Sequence, residues 1–328
     1  MMVEAAGTPL LTVDNLAVHF TQGGGWFGGG ARVLRAVDGV SLNVRAGECV
    51  GLVGESGCGK STLAGAIMGL VAPTSGSIAI EGVPLRPGTA DRMRLACTVQ
   101  MVFQDPYASL NPRRTVGDLL ASPLRLHGLG SAIEIAARVK ETLRQVGLLP
   151  EHAHRYPHEF SGGQRQRIGI ARALILEPKL LICDEPVSAL DVSIRAQIIN
   201  LLVELTEHLG LATVIISHDL SVVEHMCDRV AVMYLGRIVE SGPWRRIFEH
   251  PCHPYTRALM AAIPDPFKPA VGRRAIAAGD VPNPLTPPTG CAFNPRCPDV
   301  IDKCRQVPQP TLGVIEPNHR VACWRAGV

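Results

Sequence analysis

Short runs of apolar residues alternate along the chain with stretches in which apolar residues recur at helical spacing. The apolar runs predict strands, several of them of the fully buried kind. These predicted strands cover residues 11–20, 41–44, 49–53, 180–183 and 213–217. Helical patterns are found at residues 60–70, 162–176 and 192–209, the last of which ends at Gly210. The alternation predicts an α/β fold.

Residues 106–165 have a different character and interrupt this alternation. Apolar side chains at three- to four-residue spacing indicate an amphipathic helix in this stretch. The predicted apolar face consists of Ile133, Ala136, Val139, Leu143 and Val146. We therefore expect a helical insertion within a first domain that covers residues 1–263.

Beyond residue 263 the composition shifts toward proline, in the segments PDPFKP, PNPLTPP and VPQPTL. Proline does not support long helices or central strands. Residues 264–328 are therefore predicted to form a separate, irregular region with little core of its own. A module of this size usually needs an additional stabilising element, such as a bound metal.

Composition excludes several classes of protein. Hydrophobic residues make up 46% of the 328 residues, which is ample for a buried core and excludes a disordered chain. The formal net charge of +3 is too small for a chain built around nucleic acid. No apolar run approaches the roughly 18 residues of a membrane-spanning helix. The first residues lack a basic leader and include Glu4, so we expect a cytosolic protein.

A phosphate-binding motif lies between a predicted strand and a predicted helix. Residues 54–62 read GESGCGKST and match G-x-x-x-x-G-K-[ST] in the context that this motif requires. Glycines let successive backbone N–H groups turn toward phosphate oxygens, and the helix directs its positive end at the same anion. Lys60 is expected to reach the β- and γ-phosphates of a nucleotide, and Ser61 to coordinate Mg²⁺. The other predicted binding residues of this loop are Gly54, Glu55, Ser56, Gly57, Cys58, Gly59 and Thr62.

Two carboxylates follow an apolar strand in the segment LLICDE, residues 180–185. Ligands of open α/β sheets bind at the carboxyl ends of the strands. Asp184 is therefore predicted to hold Mg²⁺, and Glu185 to orient or deprotonate the attacking water. Catalysis at such a site depends mainly on positioning and on charge stabilisation.

A third motif, FSGGQRQR at residues 160–167, places a capping serine and two glycines at the start of a predicted helix. A helix start of this kind is a second anion-binding site. Its predicted binding residues are Ser161, Gly162, Gly163 and Gln164. The three motifs together resemble the nucleotide-binding subunits of ABC transporters. The resemblance implies a P-loop ABC ATPase core with an antiparallel β subdomain. In that family this segment, the signature segment, closes over ATP held by another subunit.

Other residues take their expected roles from the same resemblance. Gln104 in VFQDP resembles the Q-loop glutamine, a candidate Mg²⁺ ligand that senses the γ-phosphate. Asp191 in SALD resembles the D-loop aspartate, which contacts the opposite subunit. His218 in IISHD resembles the switch histidine, which hydrogen-bonds the γ-phosphate. Phe20 is the candidate for stacking on adenine, with Trp26 and Phe27 as alternatives.

Four of the ten cysteines lie in the C-terminal region, namely Cys291, Cys297, Cys304 and Cys323. Four thiols suit a four-ligand metal site, although the paired C-x-x-C spacing of structural zinc sites is absent. A cytosolic location disfavours disulfides. The spacing alone leaves zinc, an iron–sulfur cluster and no metal as alternatives.

The segments GCAFNPRCP and HRVACW resemble the C-terminal region of oligopeptide/dipeptide-type ABC ATPases. Some members of that branch hold a four-iron cluster on such cysteines. The resemblance therefore implies a [4Fe–4S] cluster ligated by all four tail thiolates, with zinc as the less favoured alternative. It assigns the cluster a structural role.

The same resemblance implies an ATPase that powers a dipeptide or oligopeptide importer. Expected partners are a second homologous ATPase, two transmembrane permease subunits and an extracytoplasmic solute-binding protein. The permeases would hold the chain at the cytoplasmic face of the membrane. Import of nickel or another small solute by the same machinery is an alternative. A soluble ABC-type ATPase acting on DNA or ribosomes is a more remote one, and the near-neutral charge predicts no nucleic-acid partner.

Overall fold

The computed structural model describes residues 8–22, 32–86, 89–262 and 280–326 as two compact units that interleave along the chain. The first unit includes Asn43–Cys49 and Ala79–Ile216. The second includes Thr12–Leu42, Val50–Ile78 and the C-terminal part from Ser217 onward. The predicted boundary at residues 263 and 264 lies outside the described residues, so the predicted division into domains stays a prediction.

The elements alternate between strands and helices, as the sequence predicts. The strands are β1 Leu11–Gln22, β2 Arg32–Val44, β3 Cys49–Val53, β4 Ser75–Ile80, β5 Val83–Pro84, β6 Val99–Val102, β7 Leu180–Asp184, β8 Ala212–Ser217, β9 Arg229–Tyr234, β10 Arg237–Pro243, β11 Gly313–Glu316 and β12 His319–Val321. The helices are α1 Lys60–Ile67, α2 Thr89–Thr98, α3 Pro106–Ser109, α4 Val116–Leu126, α5 Ala132–Gln145, α6 Gly162–Leu174, α7 Val192–Leu209, α8 Leu220–Met226, α9 Trp244–Glu249, α10 Pro254–Ala261 and α11 Asp302–Gln306. Short 3-10 turns lie at Pro150–His154, Pro157–Glu159 and Asn294–Arg296.

Parallel strands form the core of the first unit. β7 lies between β6 and β8, with Leu180 paired to Val99 on one side and to Ala212 on the other. All of β8 and the first four residues of β7 are buried, which is why both read as continuous apolar runs. The predicted helix at residues 192–209 is confirmed as α7, and Gly210 ends it in the left-handed conformation.

The predicted apolar face of helix α5 in the first unit is confirmed in part. Val139, Leu143 and Val146 are buried as expected, but Ile133 is 83% exposed and Ala136 is exposed, while Ile135 is buried. The Ser131 side chain caps the helix through the backbone N–H of Glu134, which places residue 133 in the first, solvent-facing turn. The buried row therefore starts at residue 135 and continues at four-residue spacing.

The second unit contains a mixed sheet that the C-terminal region extends. β3 pairs in parallel with β9, and β9 pairs antiparallel with β10. β12 pairs with β10, and β11 pairs with β12. Most of the described C-terminal region is irregular, as the sequence predicts, and it adds these two short strands at the edge of the sheet. Pro317 is compatible with them because it lies in the two-residue turn between β11 and β12, beside Asn318 at φ +63°.

A buried carboxylate holds β12 against β10. Glu240 is 0% exposed, and its oxygens accept hydrogen bonds from the backbone N–H groups of Cys252 at 2.8 Å and His253 at 2.9 Å. His319 Nε2 lies 2.8 Å from Glu240 Oε1. A buried carboxylate requires partners of this kind, so the C-terminal region is tied to the sheet through a polar contact as well as through strand pairing. None of the described helices is both long and apolar enough to cross a membrane.

Glu240→Ala should therefore loosen the C-terminal region. The substitution leaves His319 and two backbone N–H groups without their acceptor in a dry environment, which costs about 3 kcal/mol or more. Thermal unfolding and limited proteolysis between residues 280 and 326 measure the effect. Glu316→Ala is the control, since it breaks only the half-exposed pair with Arg246 and should cost less than about 1 kcal/mol. Equal effects of both variants would contradict the assignment of Glu240 as an anchor.

Candidate nucleotide-binding site

The phosphate loop of the second unit joins β3 to α1, and two of its glycines have no substitute. Gly54 and Gly59 have φ values of +153° and +110°. A Cβ on Gly54 would lie 2.2 Å from the carbonyl oxygen of Met233, and one on Gly59 would lie 2.0 Å from that of Ala36. Both the dihedral angles and the close packing therefore require glycine at these positions.

Lys60 hydrogen-bonds to the backbone of the phosphate loop. Its side chain is buried, and Nζ donates hydrogen bonds to the carbonyl oxygens of Gly54 at 2.7 Å and Glu55 at 3.0 Å. The N–H of Gly236 supports the loop by donating to the carbonyl of Cys58 at 2.8 Å. Helix α1 starts at Lys60, and Ser61 is exposed in its first turn. A cationic side chain, a helix start and a glycine loop together form an anion site.

Two of the predicted catalytic residues contact each other in the first unit. Gln104 Nε2 donates to Glu185 Oε2 at 3.0 Å, although 81 residues separate them in sequence. Glu185 directly follows β7, which ends at Asp184, and has a left-handed backbone at φ +47°. Its N–H donates to the carbonyl of Ile216 at 2.9 Å, which fixes this unusual conformation. Positive φ in a non-glycine residue is concentrated at functional sites.

The signature segment forms a capped helix start in the same unit. Ser161 Oγ accepts from the Gln164 N–H at 3.3 Å, and Gln164 Oε1 accepts from the Ser161 N–H at 3.1 Å. A Cβ on Gly163 would lie 2.5 Å from Ile194 Cγ2, so this glycine allows α6 to approach α7 closely. Ser161 is exposed, and so is Asp191, which precedes α7. Both residues are accessible to a partner molecule.

Two arginines that the sequence analysis did not single out connect the signature helix α6 to the segment after Gln104. The Arg165 guanidinium lies 4.1 Å from the centroid of the Tyr107 ring. Arg172 Nη1 donates to the carbonyl of Ser109, and burial lowers the pKa of Arg172. Nothing in the local pattern indicates these contacts, because both partners lie far from the arginines in the sequence.

The two remaining predicted residues lie in the second unit. His218 is exposed and directly follows β8. Phe20 is 40% exposed near the end of β1, so its ring is available for stacking. The alternatives Trp26 and Phe27 lie outside the described residues.

The four predicted metal-binding cysteines line one small cavity in the C-terminal region. Burial raises the pKa of the Cys291 and Cys323 thiols, and raises that of Cys297 to about 11. Among the described residues, the only potential ligand group whose atoms all lie within 4.8 Å of one another is a different one.

That other group consists of Glu240, Cys252 and His319. Both Glu240 oxygens already accept backbone hydrogen bonds, and His319 Nε2 contacts one of them at 2.8 Å. Neighbouring His253 accepts the Tyr255 N–H at Nδ1, and burial lowers the pKa of His253 to about 3. Hydrogen bonds within the protein thus account for this cluster without a metal.

Comparison with known protein families agrees with this geometry. Residues 37–188 match the profile described as ABC transporter. Residues 239–304 match the profile described as the oligopeptide/dipeptide transporter C-terminal region. The second match includes residues 239–243 of β10, residues 252 and 253, and three of the four tail cysteines.

Curated relatives match over nearly their whole length. The oligopeptide transport ATP-binding protein OppF of Salmonella typhimurium is 52% identical over 96% of both chains. The di/tripeptide transport ATP-binding protein DppF of Pseudomonas aeruginosa is 50% identical over 97% of this chain and 98% of its own. A dimeric post-hydrolysis structure of the ATP-binding cassette MJ0796 with ADP and Pi is similar with a TM-score of 0.63 and 29% identity. It covers 72% of this chain and 99% of that one.

Gly59 and Gly57 provide a matched test of the phosphate loop. Gly59→Ala introduces both a strained φ and a severe overlap with the Ala36 carbonyl, so it should unfold the loop and abolish nucleotide binding. Gly57→Ala meets nothing within 4 Å at φ +77°, so only backbone strain remains, about 1 kcal/mol. Thermal unfolding without nucleotide should show a clearly larger loss for Gly59→Ala. Indistinguishable melting temperatures would refute the packing argument.

Proposed function

The chain belongs to the ABC transporter family as an ATP-binding subunit with the oligopeptide/dipeptide-type C-terminal region, and from this premise we propose that it hydrolyses ATP to power a peptide importer. The observation that carries the proposal is the phosphate loop, in which buried Lys60 and two irreplaceable glycines shape an anion site. The names of the relatives OppF and DppF support a peptide cargo.

Each site residue takes one role in this proposal. The loop amides and Lys60 bind the β- and γ-phosphates, and Ser61, Gln104 and Asp184 hold Mg²⁺. The metal ion neutralises phosphate charge when bound. Glu185 orients the attacking water and acts as its base. The hydrogen bond from Gln104 to Glu185 supports this role, because Gln104 senses the γ-phosphate and can hold Glu185 in position. His218 hydrogen-bonds the γ-phosphate, and Phe20 stacks on adenine.

The active form in this proposal is a pair of ATPase subunits. The signature segment and Asp191 present exposed groups that a second subunit can reach, and the similar cassette MJ0796 is described as dimeric. The partner is a second, homologous ATPase. The capped start of α6 then supplies N–H groups to ATP bound on that partner, which makes ATP binding and association of the subunits interdependent.

Membrane components complete the assembly. Two permease subunits hold this chain peripherally at the cytoplasmic face, and a solute-binding protein on the other side captures the cargo. Because the cargo does not contact this subunit, nickel or another small solute remains the alternative cargo. The small net charge of +3 gives no support to a role on DNA or ribosomes.

The proposal includes a [4Fe–4S] cluster on Cys291, Cys297, Cys304 and Cys323. The residues fit this group, because all four thiols line one cavity and thiolates are the usual ligands of such clusters. The cluster would supply a redox-active, thiolate-ligated centre. The raised thiol pKa values mean that binding of the cluster must displace protons from the cysteines. Cluster binding should therefore weaken as the pH falls.

Glu185→Gln should retain ATP binding yet lose nearly all turnover, because the amide cannot accept the proton of the attacking water. Loss of peptide uptake should follow when this variant replaces the normal subunit in a deletion strain. ATP hydrolysis by the purified complex and uptake of a labelled dipeptide measure these effects. Glu207→Gln, on the exposed side of α7, is the control and should behave normally. Normal hydrolysis by Glu185→Gln would remove Glu185 from its role, and uptake of nickel with no uptake of peptide would reassign the cargo.

Cys304→Ser should remove the cluster, because only three thiolates remain in the cavity. Protein purified without oxygen should lose its iron, its acid-labile sulfide and its broad visible absorbance. Cys227→Ser, a buried cysteine outside the cavity, is the control and should keep all three. Unsubstituted protein that is folded, colourless and iron-free under the same conditions would refute the cluster.

A further inference from the structure

The C-terminal region contacts the phosphate loop through an ion pair. Arg296 Nη1 and Nη2 lie 2.8 Å and 2.9 Å from the two carboxylate oxygens of Glu55, the second residue of the loop. These residues are 241 positions apart in sequence. Two parallel hydrogen bonds between a guanidinium and a carboxylate are among the strongest and most directional contacts in proteins. The pair therefore fixes the position of Glu55.

The surroundings of Arg296 hold its guanidinium in place. Its side chain is only 6% exposed, against 28% for Glu55. The guanidinium carbon lies 5.9 Å from the Phe293 ring centroid, and Phe293 packs against Tyr234 and Tyr255. An arginine side chain is always protonated in proteins, so this guanidinium carries its full positive charge beside Glu55.

The backbone of Glu55 is fixed as well. Its N–H donates to the Tyr255 hydroxyl at 2.8 Å, and its carbonyl accepts from Lys60 Nζ at 3.0 Å. One residue of the loop thus connects the lysine of the anion site, helix α10 and the C-terminal region. A change at Arg296 can reach the anion site through this single residue.

A carboxylate on a loop that receives a polyphosphate is electrostatically unfavourable unless it is neutralised. We propose that Arg296 is a positioning residue for nucleotide binding, which neutralises Glu55 and fixes the position of this residue in the phosphate loop. This inference rests on the proposed ATPase function. Arg296 directly precedes Cys297, so the segment that carries two of the cavity cysteines also supplies a charge to the nucleotide site.

Arg296→Met should weaken ATP binding by about tenfold or more, because the uncompensated carboxylate of Glu55 then repels the incoming phosphates. Arg296→Lys should lie between this variant and the original chain, since lysine keeps the charge but not the paired hydrogen bonds. Titration of each purified chain with a fluorescent ATP analogue and Mg²⁺ gives the dissociation constants.

The decisive variant is the double substitution Arg296→Met with Glu55→Gln. Removal of both charges should restore affinity to within about threefold of the original chain, a rescue that a purely structural role would not produce. If Arg296→Met does not fold, Arg296→Lys compared with Arg296→Lys plus Glu55→Gln provides the same test. Arg246→Met is the control, because it breaks a half-exposed pair between α9 and β11 and should leave ATP affinity unchanged.

Two results would overturn the inference. One is unchanged ATP affinity in Arg296→Met, and the other is a double variant that binds no better than Arg296→Met. Failure of the unsubstituted chain to bind ATP would instead refute the proposed function. The two failures are therefore distinguishable in the same titration.

Discussion

The structure depends on one requirement, which is that main-chain N–H groups between β3 and α1 must be able to surround an anion. Only glycine satisfies it at positions 54 and 59, where the carbonyl oxygens of Met233 and Ala36 occupy the space of any Cβ. The parallel pairing of β3 with β9 brings Met233 into this position. The register of the buried strands therefore determines which backbone atoms contact the loop.

The sequence predicted those features that depend on short segments. The phosphate loop, β3 and α7 follow from local spacing, glycine positions and buried apolar runs, and the structure agrees with them. The predicted helix at residues 60–70 ends earlier, at Ile67, because Gly69 takes the left-handed conformation at φ +68°. Periodicity alone also misplaced part of the buried face of α5, since the phase of that helix depends on its cap at Ser131.

Contacts between distant residues could not be predicted in this way. The sequence around Arg296 does not indicate a partner 241 positions away. An arginine between a proline and a cysteine is instead typical of an exposed turn. The sequence analysis placed Gln104 and Glu185 at one site, but it did not predict the hydrogen bond between them. Strand β12 could not be predicted because its three residues are too few to show a strand pattern, and only pairing with β10 and β11 defines it.

The structure of the C-terminal region weakens the argument that it needs a bound metal for its stability. The sequence suggested that metal would supply organising energy that a proline-rich region lacks. Within the described residues, however, this region has its own buried contacts, since Phe293 packs among Tyr234 and Tyr255 and Val321 is buried in the sheet. Glu240 and His319 add a buried polar anchor. Phe293 itself lines the cysteine cavity, whereas Glu240, His319 and Val321 do not, so part of the packing of this region is independent of any ligand on the thiols. Arg296 directly precedes Cys297 and pairs with the phosphate loop, so one short segment contributes both to the cavity and to the position of Glu55.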